Sequence, residues 1–126
     1  MKIKLNEPPR VFEVGFGETI RIKDCAHLEL EPDEQVTFTT PAGGEYDVAR
    51  KSWGFYATPS LNARLAQFGL RAVLIKNRLN RYFVMLVETG QEDLFQRYLD
   101  IEGLDIVVWL DTTAALEELE RKLKAG

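Results

Sequence analysis

The side chains best suited to holding a ligand gather between Glu45 and Arg64. Arg50 and Lys51 are adjacent cations, and Arg64 is a third within the same run. Trp53 and Tyr56 offer flat aromatic surfaces for a base or sugar ring, and Gly54 between them lets a ligand approach the backbone. Thr58, Ser60 and Asn62 add hydroxyl and amide groups. Thr58-Pro59 reads as a helix start, with Thr as the N-cap and Pro at the first helical position. A first turn there would present free N–H groups and the positive end of the helix dipole, a combination that holds phosphate or carboxylate. The same residues also suit ordinary structure: aromatics joining a sheet to a helix, a simple cap, and a solvated Arg64.

Charge distribution favours the anion reading. Residues 1–47 carry five bases and ten acids, residues 88–126 four bases and ten acids, and residues 48–87 seven bases and no acid. A solvated surface usually mixes signs, so a basic centre between acidic flanks points to an anionic small molecule or an acidic protein surface as partner. Arg71, Lys76, Arg78 and Arg81 extend this stretch, although they equally suit an exposed strand and turn protected against edge pairing. The acidic pI of about 5.1 argues against a duplex-DNA binder. Single-stranded nucleic acid, with the aromatics as stacking platforms, is a further alternative; overall acidity and the lack of an RNA-binding motif weigh against it.

Catalytic and metal signatures are weak. Cys25 is the only cysteine and His27 the only histidine. Strand alternation puts them on one face, but no third ligand has the spacing of a metal site, and the bland reading is a small cysteine beside a half-exposed histidine. The pairs Glu29/Glu31 and Glu45/Asp47 suit a wet strand face as well as acid–base chemistry. Gly15-Phe16-Gly17 and Gly43-Gly44 lack the strand–loop–helix setting of a phosphate loop. No cofactor is implied. The lone cysteine suits a reducing compartment, the N-terminus lacks a signal-peptide apolar run, and no window approaches the roughly 18 apolar residues of a membrane span. The expectation is a soluble cytoplasmic protein without a membrane partner.

The elements that would position these groups follow from periodicity. Thr19–Lys23, Leu28–Glu31 and Gln35–Thr40 alternate as strands, and another begins at Tyr46. Turns at Gly15–Gly17, Glu31–Glu34 and Pro41–Gly44 separate them. After Pro59, Leu61, Leu65 and Phe68 recur at helical spacing, and Gly69 fits a C-terminal cap. Val73–Ile75 and Phe83–Val87 read as strands around an Asn77–Asn80 turn, and Gln91–Glu102 as an amphipathic helix. Ile106–Leu110 is a nearly continuous apolar run, expected to be a strand buried on both faces. Asp111 or Thr112 caps a last helix whose acids precede its bases, an order that favours the dipole. The class is α+β: one domain over 1–126, with an antiparallel β-rich subdomain at about 1–52 and an α-β-β-α-β-α subdomain at about 53–126.

The run from Glu45 through Lys51-Ser52-Trp53-Gly54-Phe55-Tyr56-Ala57-Thr58-Pro59-Ser60-Leu61-Asn62 to Arg64-Leu65, continued by Tyr82–Glu88, resembles a group of short bacterial proteins of unassigned activity. These are associated with surface-polysaccharide and nucleotide-sugar biosynthesis genes. The resemblance covers roughly residues 40–110 and supplies no catalytic residues. It implies a sugar-phosphate or nucleotide-sugar ligand, or a partner enzyme of such a pathway. The expectation is a binding or accessory protein that recognises an anionic small molecule through Arg50, Lys51, Trp53, Tyr56, Thr58, Ser60, Asn62 and Arg64. The alternative is a protein-interaction module or homo-oligomeric scaffold.

Overall fold

The computed structural model describes residues 1–126, an α+β chain built on three small antiparallel sheets. The first is a long ribbon of β1 (Lys2–Val14) and β2 (Ile20–Glu29). The second joins β3 (Gln35–Thr39), β4 (Glu45–Lys51) and β5 (Gly54–Ala57) in that order. Thus residues 54–57, assigned from sequence to the second subdomain, complete the sheet of the first. The third sheet has β6 (Leu70–Lys76) at its centre, flanked by β7 (Tyr82–Glu88) and β8 (Asp105–Trp109). Both flanking strands run antiparallel to β6, so the helix α2 (Glu92–Glu102) connects two parallel strands across it.

The main core lies between the third sheet and α2. Val73, Ile75, Val87 and Leu99 are buried together, with Met85, Phe95, Leu104 and Trp109 packed around them. The other sheet face holds Leu65, Leu70 and Ala72, covered by Tyr46, Leu86 and Leu110. Gly103 ends α2 in the left-handed conformation, and α3 (Thr113–Ala125) starts from Thr112, whose side chain accepts a hydrogen bond from Ala115 N–H. No helix is long and apolar enough to cross a membrane.

Two sequence expectations are corrected here. The helix after Pro59 is only α1 (Arg64–Gln67). Thr58 donates its backbone N–H to the Asp47 carbonyl and so extends the β5 pairing, while Pro59 is a buried plug. The residue before a proline is pushed away from helical geometry, and that bias prevails. The apolar run 106–110 is an edge strand, with Ile106 and Val107 exposed.

The chain is unusually open. Only 12 of its 126 residues are buried. It exposes 9051 Å², whereas a compact monomer of 14.4 kDa exposes about 6,800 Å². Ile3, Leu5, Val11, Phe12, Val14, Ile22 and Leu28 put part of the exposed apolar surface on the β1–β2 ribbon, whose main packing is between its own two strands.

Candidate functional site

Of the eight candidate ligand residues, the structure gathers some and separates others. Strand pairing puts Thr37, Asp47, Ala49, Lys51 and Tyr56 on one face of the second sheet. At the turn end of the β4–β5 hairpin, the rings of Trp53 and Tyr56 are stacked with centroids 6.3 Å apart, close in sequence to Lys51. The Lys51 ammonium bonds the Asp33 carboxylate, and that hydrogen bond raises its pKa above the usual lysine value. Further along, Arg64 lies 3.6 Å from Asp47, which also accepts the Thr37 hydroxyl. Arg64 stacks on Phe68, and its backbone N–H bonds the Ser60 hydroxyl. Asn62 points away to Thr113. Alternation turns Arg50 to the opposite face, beside Phe55. The Thr58 hydroxyl and Arg50 Nη1 are buried without a hydrogen-bond partner in the chain. The expected helix N-terminal anion cradle does not form, because a four-residue helix starting at Arg64 presents no first turn near Thr58.

The basic centre and acidic flanks have a structural use. Lys51 pairs with Asp33, Arg64 with Asp47 and Arg71 with Asp111. Each pair joins a cation of the acid-free stretch to an acid of a flank, so segregation along the chain becomes neutralisation in space. Arg71 also lies 4.0 Å from the Trp109 ring centroid, fixing the edge of the third sheet. The remaining cations include Lys76 over Tyr82 and Arg78 over Phe16. Cys25 is exposed, and His27 Nε2 approaches Asp24 at 3.4 Å on the ribbon.

The largest unexplained surface is the β1–β2 ribbon, which the sequence reading recognised only in part. Along β2, alternation puts Ile20, Ile22, Asp24, Ala26 and Leu28 on one side. Their partners across the ribbon are Val14, Phe12, Arg10, Leu5 and Ile3. This face is therefore apolar at both ends, with Asp24 between them, paired to Arg10 at 3.3 Å and also reached by His27 Nε2 at 3.4 Å beside the register shift. The other face carries Lys2, Lys4, Glu13, Arg21, Lys23, Cys25, His27 and Glu29, with Val11 as its apolar exception. Cross-strand pairs Lys2–Glu29 and Glu13–Arg21 decorate that side. The signal in the sequence was the alternation Lys2-Ile3-Lys4-Leu5, interrupted by Pro8-Pro9, where the register shifts.

The ribbon is held at its ends. At the tip, Glu102 accepts from the N–H groups of Phe16 and Gly17, although the side chain is almost wholly buried. A Cβ on Gly17 would run into the Ile101 carbonyl, so the clasp requires glycine. Glu102→Ala leaves two turn donors without their acceptor, an expected loss of about 1–3 kcal/mol. Amide exchange checks this: residues 14–20 should exchange faster while β6 stays protected, and unchanged tip exchange would refute the clasp. At the base, Glu34 accepts from Glu31 N–H and pairs with the Met1 ammonium. The Glu31 N–H bond first, and the Met1 ammonium next, lower the Glu34 pKa. Its contribution is present above the ordinary glutamate pKa and disappears as pH falls through the lowered folded value. A carboxyl-carbon NMR titration should therefore place the Glu34 midpoint below the free glutamate value; one at or above it contradicts the clamp.

Between these anchors the ribbon leaves gaps against the body. Ala26, Leu28 and Leu30 face Val36, Phe38, Val48 and Phe55 across a cleft of about 360 Å³. Val14 and Phe16 face Phe83, Met85 and Tyr98 across another of about 310 Å³. No family model, curated relative or solved structure matches the chain.

Proposed function

We propose that this chain is a non-catalytic interaction module that joins a protein assembly through the apolar face of its β1–β2 ribbon. The observation that supports this reading is the exposure of Ile3, Leu5, Phe12, Val14, Ile22 and Leu28 on one side of a ribbon whose other side is charged. Apolar burial drives association at about 25 cal/mol per Å² of apolar surface, and an isolated two-stranded ribbon is at best marginally stable in water. A second surface completes both requirements. The polar face then remains in solvent, where its ion pairs suit it. Thiol footprinting in the source cells tests the reading. In a Cys25→Ser background, Ile22→Cys should resist a water-soluble maleimide while Lys23→Cys reacts. Equal reactivity at both positions would remove the reading.

A second reading rests on the Trp53–Tyr56 stack beside Lys51. It takes an anionic ligand of phosphate or nucleotide-sugar type, with the base or sugar on the rings and the phosphate drawing Lys51 from Asp33. Titration of labelled protein with a UDP-hexose at low salt should then give saturable amide shifts at residues 51–56. A flat response would remove that ligand class.

A further inference from the structure

Lys51, Arg64 and Arg71 each meet a carboxylate from an acidic flank, but Arg50 among them does not. Its Nη1 is buried without a hydrogen-bond partner. The nearest acid across the strands is Glu34, whose carbonyl accepts the Arg50 backbone N–H. The Glu34 carboxylate is already held by the Met1 ammonium and the Glu31 N–H. A guanidinium nitrogen taken out of water without an acceptor is unfavourable, so this position calls for an anion.

Strand pairing fixes the side on which Arg50 stands. Alternation along β4 puts it on the face of Val48, and the register sets it directly opposite Phe55. Val48 and Phe55 line the cleft of about 360 Å³ between the base of the ribbon and the second sheet, with Ala26, Leu28, Val36 and Phe38. Arg50 therefore lies beside that cleft, at the end nearest Glu34. The lining is apolar except for His27. Phe38 and Phe55 are 55% and 61% exposed, so a hydrocarbon lying along them would remove apolar surface from water. The volume falls at the lower end of the roughly 300–1,000 Å³ of small-molecule sites.

We propose that this cleft binds a small amphipathic carboxylate, with its acyl chain along the apolar walls and its head on the Arg50 guanidinium. The planar guanidinium presents its donors in a fork that matches a carboxylate. One unpaired cation beside apolar walls suits a single charged head on a hydrocarbon tail. A nucleotide sugar would bring further charges and hydroxyls that these walls leave unpaired. The site is on the opposite face of the second sheet from Lys51 and Tyr56, so it is distinct from the anion reading above. It also goes beyond the interaction reading and does not depend on it.

The test is a methyl NMR titration of the full chain with octanoate below its micelle concentration, with octanol as the neutral match. The expected result is saturable shifts at Leu28, Leu30, Val36 and Val48, with octanoate binding more tightly than octanol. Arg50→Met keeps the apolar stem and removes the charged head. It should weaken octanoate about ten- to a hundred-fold, as expected for loss of a charge-assisted hydrogen bond, and leave octanol unchanged. Ala26→Phe, which fills the cleft from the ribbon side, should abolish binding of both with Arg50 intact. The amide spectrum checks that each variant is folded. Equal shifts at Val14 and Met85, which line the other cleft, would show non-specific partitioning of the hydrocarbon. That result, an absence of shifts, or equal octanoate affinity for Arg50→Met and the unsubstituted chain overturns the inference. None of these readouts uses position 22, so the interaction reading stands or falls separately.

Discussion

Ile22→Glu is expected to abolish association while leaving the folded body intact. Ile22 lies opposite Phe12 on the apolar side of the ribbon and is 42% exposed in the single chain. A glutamate there is solvated in the monomer and costs the isolated chain little. In an assembly that covers this face it is a buried carboxylate without a partner. Burying an uncompensated charge costs several kcal/mol, so affinity should fall by about two to three orders of magnitude. Val11→Glu, on the polar face opposite Lys23 and 52% exposed, is the control for charge alone. Sedimentation of the two variants gives the comparison, and circular dichroism checks that the fold persists. Equal affinities for the two would contradict the role assigned to the apolar face.

Leu65→Ala is expected to produce a large loss of intrinsic stability. Leu65 is fully buried with Leu70 and Ala72, although it belongs to a helix of only four residues. Such a helix has no stability of its own; Leu65 packing against the third sheet holds it. Truncation removes three carbons from a closed site, with an expected cost of about 2–5 kcal/mol, a large share of the stability of an ordinary domain. Leu61→Ala supplies the contrast. A helix running from Pro59 would bury Leu61 and Leu65 on one stripe, whereas the observed turn leaves Leu61 37% exposed. Denaturant unfolding should show a much smaller loss for Leu61→Ala, and equal losses would favour the longer helix.

That contrast shows what local patterns can reveal. The turns at Gly15–Gly17, Pro41–Gly44 and Asn77–Asn80 were legible because their residue types have backbone preferences of their own. The helix α2 and the Thr112 cap were legible for the same reason. Thr58-Pro59 carried two opposed signals, a capping pair and a residue restricted by the following proline, and pairing with Asp47 resolved them. The apolar run in β8 gave the strand correctly. Hydrophobicity says that a side chain seeks cover, but not whether the same chain provides it. The ribbon was missed as a unit because Pro8-Pro9 breaks its first strand at the register shift. The candidate ligand residues were identifiable by type, yet their pairings with Asp33, Asp47 and Thr113 depend on contacts distant in sequence.

On the proposed interaction reading, the apolar face of the β1–β2 ribbon is covered in the assembled protein. Methyl NMR with a soluble paramagnetic agent measures this cover directly. The methyl groups of Ile3, Leu5, Ile22 and Leu28 should be shielded to nearly the same degree as those of buried Val73 and Ile75. Leu123, which is 73% exposed on α3, supplies the solvent reference. Relaxation enhancement of the ribbon methyls equal to that of Leu123 would show an uncovered face and contradict the claim.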